Sequence, residues 1–93
     1  GLGVVPGANI GDQIAVFEAV HGTAPDIAGQ GKANPLALLG SALLLLEFVG
    51  ARRIAKRIEH AIFDVLETGR YLTGDLGGSS STSEFTEAII DQL

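Results

Sequence analysis

The chain contains no cysteine, so disulfides, a thiolate nucleophile and a zinc–thiolate centre have nothing to be built from. That absence fits a reducing compartment. Basic residues are also few: six Lys and Arg stand against eleven Asp and Glu, a formal charge of −5. A surface of that sign repels phosphate, which argues against nucleic acid or an anionic membrane as partner. No apolar run is long enough to cross a bilayer. The stretch from Leu36 to Val49 falls short of the roughly 20 residues required and reads as a buried helix. The amino terminus has no initiator Met and no signal or transit composition. Its opening, Gly1-Leu2-Gly3-Val4-Val5-Pro6, reads as if continued from something longer.

What is present is enough for one small folded unit. The 93 residues are 46% hydrophobic and 18% charged, a balance that excludes a disordered or highly solvated chain. The length lies near the low end for independent folding. A helix as apolar as Leu36 to Val49 needs cover on several sides, and so short a chain has few elements to provide it.

The first third is rich in glycine. Gly1 to Gly11 is expected as a short strand or loop, and Ile14 to Val20 as a buried strand. His21 to Ala33 holds four glycine or proline punctuators and reads as an ordered loop whose backbone is available to a ligand. Asn34-Pro35 marks a helix start, Asn as the cap and Pro at the first helical position. That helix should run to about Val49, stop at the left-handed Gly50, and be packed on most faces. A second, amphipathic helix is expected from about Ala51 to Thr68, ending at Gly69. Its apolar stripe is Ile54, Ile58, Ala61, Ile62, Val65 and Leu66, with Arg52, Lys56, Glu59, His60 and Asp64 on the solvated face. Arg70 to Ser81 reads as an extended segment and loop. The last helix should begin near Ser81, which stands in capping-box spacing with Glu84, and bury Phe85, Ala88 and Ile89.

Chemistry concentrates in His21-Gly22-Thr23-Ala24-Pro25-Asp26-Ile27-Ala28-Gly29. Between a strand and a helix, this loop offers an imidazole, a hydroxyl, a carboxylate and exposed amides. It reads either as a polar-ligand site or as a glycine-rich connection with a capping Asp. Two phosphate-loop patterns fail. Gly1-x-Gly3 meets Pro6 where a dinucleotide fingerprint needs glycine, and Gly31-Lys32 has Asp26 and Ala33 at positions that require Gly and Ser/Thr.

The run Glu18-Ala19-Val20-His21-Gly22-Thr23-Ala24-Pro25-Asp26-Ile27-Ala28-Gly29, followed by Ala33-Asn34-Pro35, resembles the cofactor loop of the β-decarboxylating dehydrogenases, the isocitrate/isopropylmalate dehydrogenase family. Pro6-Gly7-Ala8-Asn9-Ile10-Gly11, Thr73-x-Asp75-Leu76-Gly77-Gly78 and Ser83-Glu84-Phe85-Thr86 are similar to the same family, so the likeness covers nearly the whole chain. It implies an α/β fold, an α/β/α sandwich whose large domain is discontinuous. Residues 1–93 would be a partial domain, the C-terminal segment that returns to that large, cofactor-binding domain, mostly helical with short strands. It also implies an adenosine site on this loop. His21 would pack near adenine and ribose, and Gly22, Thr23, Ala24 and Pro25 would line the phosphate side. Asp26 would accept from the ribose hydroxyls, Ile27 and Asn34 would border the adenine, and Glu18 would lie toward the nicotinamide ribose.

Within the family, Glu18-Ala19-Val20-His21-Gly22-Thr23 looks more like the isocitrate branch than the Glu-Pro-x-His-Gly-Ser pattern of isopropylmalate enzymes. The implied activity of the intact enzyme is NAD-dependent oxidative decarboxylation of isocitrate to 2-oxoglutarate with Mg2+ or Mn2+. Isopropylmalate, homoisocitrate or a tartrate-like acid, or a non-catalytic regulatory subunit, are the alternatives. The resemblance places the substrate arginines, the catalytic tyrosine and lysine, and the metal-binding aspartates before Gly1. This chain is therefore expected to hold no catalytic or metal-ligating residue and to be inactive alone. Tyr71 lies outside the catalytic tyrosine motif, and Asp12, Asp64, Asp75 and Asp91 read as surface or capping residues. The implied assembly is a homodimer or higher oligomer that shares its active sites, cytoplasmic or, in a eukaryote, in the mitochondrial matrix.

Overall fold

A computed structural model describes residues 5–93. The strand-or-loop expectation for residues 1–4 lies outside the described residues. Two strands, β1 (Pro6–Ile10) and β2 (Ala15–Ala19), form an antiparallel hairpin with Pro6 opposite Ala19 and Ile10 opposite Ala15. The turn closes where the Gly11 amide donates to the Ile14 carbonyl at 2.8 Å. Among the described residues three helices follow, α1 (Leu36–Phe48), α2 (Arg52–Thr68) and α3 (Thr82–Asp91), with a 3-10 turn at Gly74–Leu76. The described residues are thus mostly helical with short strands. Among the described residues, no helix is long and apolar enough to cross a membrane.

Helix α1 lies across the hairpin and against α2, and α3 packs on α2. Phe17 of β2 meets Phe48 of α1 with ring centroids 5.7 Å apart and planes tilted by 57°, a favoured aromatic geometry. Gly40 lets α1 approach β1, since a Cβ there would stand 3.1 Å from Pro6 Cβ. The core is assembled from Ala61, Ile62 and Val65 of α2 with Phe85 and Ile89 of α3, and Leu36, Leu39 and Leu43 of α1 lean on it.

Local signals set the helix ends. Gly50 and Gly69 adopt φ of +91° and +69°, the left-handed values expected of them. Ser81 and Glu84 form the expected capping box: the Ser81 hydroxyl accepts from the Glu84 amide at 3.0 Å, and the Glu84 carboxylate accepts from the Ser81 amide at 2.8 Å. At the start of α1 the frame moves by one residue. Pro35 takes the cap position, and Asn34 reaches over it to accept from the Leu36 amide at 2.9 Å. Pro has no N–H for the cap to serve, so Leu36 carries the first donor that needs one.

Packing differs from the sequence expectations in three places. Strand β2 is half-buried, because α1 covers only the face that carries Ala15, Phe17 and Ala19 and leaves Val16 exposed. Helix α1 is open along Leu38, Ala42 and Leu45, a stripe at helical spacing that faces away from both the hairpin and α2. On α2, Ile54 is 56% exposed while its neighbour Ala55 is buried. The rotation of α2 against α1, which periodicity alone leaves free, brings the smaller residue to the contact.

Candidate functional site

Strand β2 delivers Glu18 and then the loop. Alternation along β2 turns the Glu18 side chain away from α1, and its carboxylate accepts from Asn9 Nδ2 across the hairpin at 3.3 Å. His21 and Gly22 leave the strand end exposed. His21 Nδ1 donates to the Gly22 carbonyl at 2.7 Å. A carbonyl only accepts, so Nδ1 is the donor in this contact, and Nε2 is left as the ring's other polar atom.

Thr23, Ala24, Pro25 and Asp26 continue as exposed backbone, and Ile27 is half-buried. Ala24 is held at φ of +43°, the one non-glycine residue in the left-handed region among those described, a conformation that costs on the order of 1 kcal/mol or more. The strain starts a turn: the Ile27 amide donates to the Ala24 carbonyl at 3.1 Å, and the Gln30 amide to Ile27 at 3.1 Å. Gln30 Nε2 also donates to the Asp26 carbonyl at 2.8 Å. The Asp26 backbone is fixed while its carboxylate faces solvent. Gly22, Gly29 and Gly31 have open space where a Cβ would stand, so the loop surface is unobstructed.

The far arm of the loop is tied to the carboxy-terminal segment at three points. The Thr82 amide donates to the Gly31 carbonyl at 2.8 Å, and the Thr82 hydroxyl donates to the Ala33 carbonyl. Asn34 Nδ2 donates to Asp75 Oδ2 at 2.9 Å. The Thr73 hydroxyl, wholly buried, donates to the other oxygen, Asp75 Oδ1, at 2.6 Å. Partial burial raises the Asp75 pKa, but hydrogen bonds from Thr73, from Asn34 and from the Asp75 and Leu76 amides outweigh it. The carboxyl is therefore held below its ordinary value and is anionic at neutral pH.

The nine sequence-selected residues thus lie in chain order along one strip, from the end of β2 to the start of α1, exposed except for the half-buried Ile27 and Asn34. Among the described residues, they line neither of the two best-formed hollows. Concave surface is found instead between α2 and α3, in a hollow of about 140 Å³ lined by residues such as Val65, Thr68, Tyr71 and Ala88, none of them selected. His60 is exposed on α2. Among the described residues, no group of three His, Asp or Glu is placed to hold a metal ion. Sequence reasoning passed over Asp75 as a surface or capping residue; the structure joins it to the selected Asn34. Its only signal in the sequence was the Thr73-x-Asp75 spacing.

The strip carries chemistry suited to the adenosine part of a dinucleotide: a free carboxylate for hydroxyl donors, an imidazole, a carboxamide and unobstructed amides. Its residues fit that group.

A model of the family described as isocitrate/isopropylmalate dehydrogenase matches residues 1–89. A probable mitochondrial NAD isocitrate dehydrogenase subunit alpha of Caenorhabditis elegans is 59% identical over 89 residues, covering 96% of this chain and 25% of that protein. An isocitrate/homoisocitrate dehydrogenase of Thermus thermophilus is 54% identical over 93 residues, covering 100% of this chain and 28% of that protein. In three dimensions, the isocitrate dehydrogenase of Methylococcus capsulatus matches with a TM-score of 0.91 at 45% identity, over 99% of this chain and 28% of its own. The chain spans about a quarter of the length of these relatives. On the family match, the level of identity and the shared fold together, the chain belongs to the isocitrate/isopropylmalate dehydrogenase family.

Proposed function

We propose that this chain supplies the adenosine side of the NAD site in an intact β-decarboxylating dehydrogenase that converts isocitrate to 2-oxoglutarate and CO2. The observation that carries the reading is identity above 50%, over essentially the whole chain, to relatives whose names specify isocitrate and, in one case, NAD. The exposed strip from Glu18 to Asn34 supports it, because its groups suit a nucleoside and leave the chemistry at the reacting carbon to other segments. Residues 1–93 are then the returning segment of the large domain. Substrate-binding, acid–base and Mg2+- or Mn2+-binding residues lie in other segments of the enzyme, which works as a homodimer or higher oligomer. The compartment is the cytoplasm, or the mitochondrial matrix in a eukaryote.

Within the strip, Asp26 accepts from the two ribose hydroxyls, and His21 and Ile27 flank the base. Asn34 meets its edge, and Gly22 to Pro25 present backbone to the phosphates. Glu18 lies toward the nicotinamide ribose. A second substrate, homoisocitrate, is favoured by the printed name of the Thermus relative.

The test is initial-rate kinetics of the full-length enzyme with NAD and each of isocitrate, homoisocitrate and isopropylmalate. The highest kcat/KM is expected with isocitrate. Preference for isopropylmalate, or no turnover of any of the three, would overturn the reading.

A further inference from the structure

The two ends of a carboxamide have nearly the same shape, and their partners tell them apart. At Asn34 both ends are committed. Oδ1 accepts from the Leu36 amide at 2.9 Å, and Nδ2 donates to Asp75 Oδ2 at 2.9 Å. Turning the amide by half a revolution would set NH2 against an N–H and oxygen against a carboxylate, replacing two hydrogen bonds by two repulsions. Asp75 is itself fixed. Its second oxygen takes the hydroxyl of Thr73, which is wholly buried, and the next residue, Leu76, packs against the core.

These bonds leave Asn34 one N–H and one oxygen lone pair uncommitted, with the two ends of the amide in a set order. Adenine matches such a pair along its N6/N7 edge, where the amino group donates and the ring nitrogen accepts. Hypoxanthine presents two acceptors along the same edge and cannot satisfy the Asn34 oxygen.

We propose that Asp75 is a positioning residue for cofactor recognition, locking the Asn34 carboxamide in the orientation that accepts an adenine edge and rejects an oxo-purine. The proposal rests on the adenosine-site reading above. It adds to that reading a residue 41 positions from Asn34 in sequence that does not itself touch the cofactor.

The experiment uses the full-length enzyme and two cofactors, NAD and nicotinamide hypoxanthine dinucleotide. Wild type should favour NAD by roughly tenfold or more in kcat/KM, the discrimination of one bidentate contact. Asp75→Ala should raise KM for NAD, leave kcat nearly unchanged and reduce the NAD preference severalfold. Asp75→Asn keeps an oxygen facing Asn34 Nδ2 and should restore most of that preference. Asn34→Ala should abolish the preference, and adding Asp75→Ala to it should change nothing further. A purely structural Asp75 would lower the melting temperature and leave the cofactor ratio unmoved; that result overturns the proposal and leaves the adenosine reading standing. An Asn34→Ala enzyme with unchanged KM and ratio overturns both. If Asp75→Ala does not fold, Thr73→Val, which releases Asp75 Oδ1 at nearly constant volume, must lower the ratio in the same direction. An unmoved ratio there also overturns the proposal.

Discussion

Ser41, on the buried side of α1, donates its hydroxyl to the main-chain carbonyl of Glu18 on β2. The same oxygen accepts from the Gly7 amide of β1 at 3.2 Å and lies 3.0 Å from the Ala37 carbonyl one turn back. One buried atom therefore fastens both strands to the helix. It also fixes the strand end from which His21 and the loop depart. We expect Ser41→Ala in the intact enzyme to cost about 0.5–1.5 kcal/mol, because a part-buried amide and carbonyl each lose a hydrogen bond. Urea unfolding measures this, and a midpoint equal to wild type would show that water or a local shift replaces the bond.

Cofactor choice should follow Asp26. A carboxylate placed at the ribose hydroxyls faces the 2′-phosphate of NADP as a like charge. That repulsion amounts to about 1 kcal/mol at 4 Å in water and about 4 at an effective dielectric of 20. The phosphate carries more than one charge, while salt and rearrangement reduce the effect, so we expect the full-length enzyme to prefer NAD by tens- to thousands-fold. Asp26→Lys with Ile27→Tyr should move the ratio of catalytic efficiencies toward NADP. A ratio that stays in place refutes the role of Asp26. Two glycines of the Thr73–Gly78 segment differ in the room they leave for a side chain. Gly74 has open space around it, but a Cβ at Gly78 would strike the Leu72 carbonyl. Gly74→Tyr should therefore be tolerated and Gly78→Arg should disrupt folding.

The Asp75 carboxyl lies below its ordinary 3.8 in the folded protein, so folding favours its anion. Its contribution to stability is complete above the unfolded value and drains away as pH falls from about 3.8 through the folded value. Urea midpoints of the intact wild type and Asp75→Asn should accordingly differ at neutral pH and converge in acid. A constant gap between the two curves would show that Asp75 titrates at its unfolded value.

The chain on its own should self-associate and be inactive. Ile14, Leu38 and Phe63 are 74%, 61% and 58% exposed, and exposed large apolar side chains promote association. Sedimentation at micromolar concentration, with an isocitrate assay on the same sample, checks both halves. A monomer with a cooperative melt at high temperature, or turnover free of contaminating enzyme, would refute the expectation.

The candidate strip was legible because its chemistry is written consecutively. His21 to Asp26 and Asn34 stand in one loop, so no knowledge of packing was needed to group them. The strain at Ala24 was not legible, since a left-handed alanine exists only where surrounding contacts enforce it. Asp75 was not legible as a partner of Asn34 for a different reason: spacing in the chain says nothing of which distant carboxylate a loop will meet.

By itself the sequence determined what is decided within about one helical turn. Ser81 and Glu84 cap α3, Gly50 and Gly69 end their helices, and Phe85, Ala88 and Ile89 face one side of α3, all through contacts between residues no more than four apart. The tertiary structure alone decided which parts of those patterns are covered. It buried Ala55 in place of Ile54, left one face of β2 and one stripe of α1 open, and brought Asp75 to Asn34 and Thr82 to Ala33. Each of these outcomes depends on how one element is rotated and seated against another. That seating is fixed by the joint packing of side chains from distant parts of the chain, which a periodic pattern within a single element does not encode.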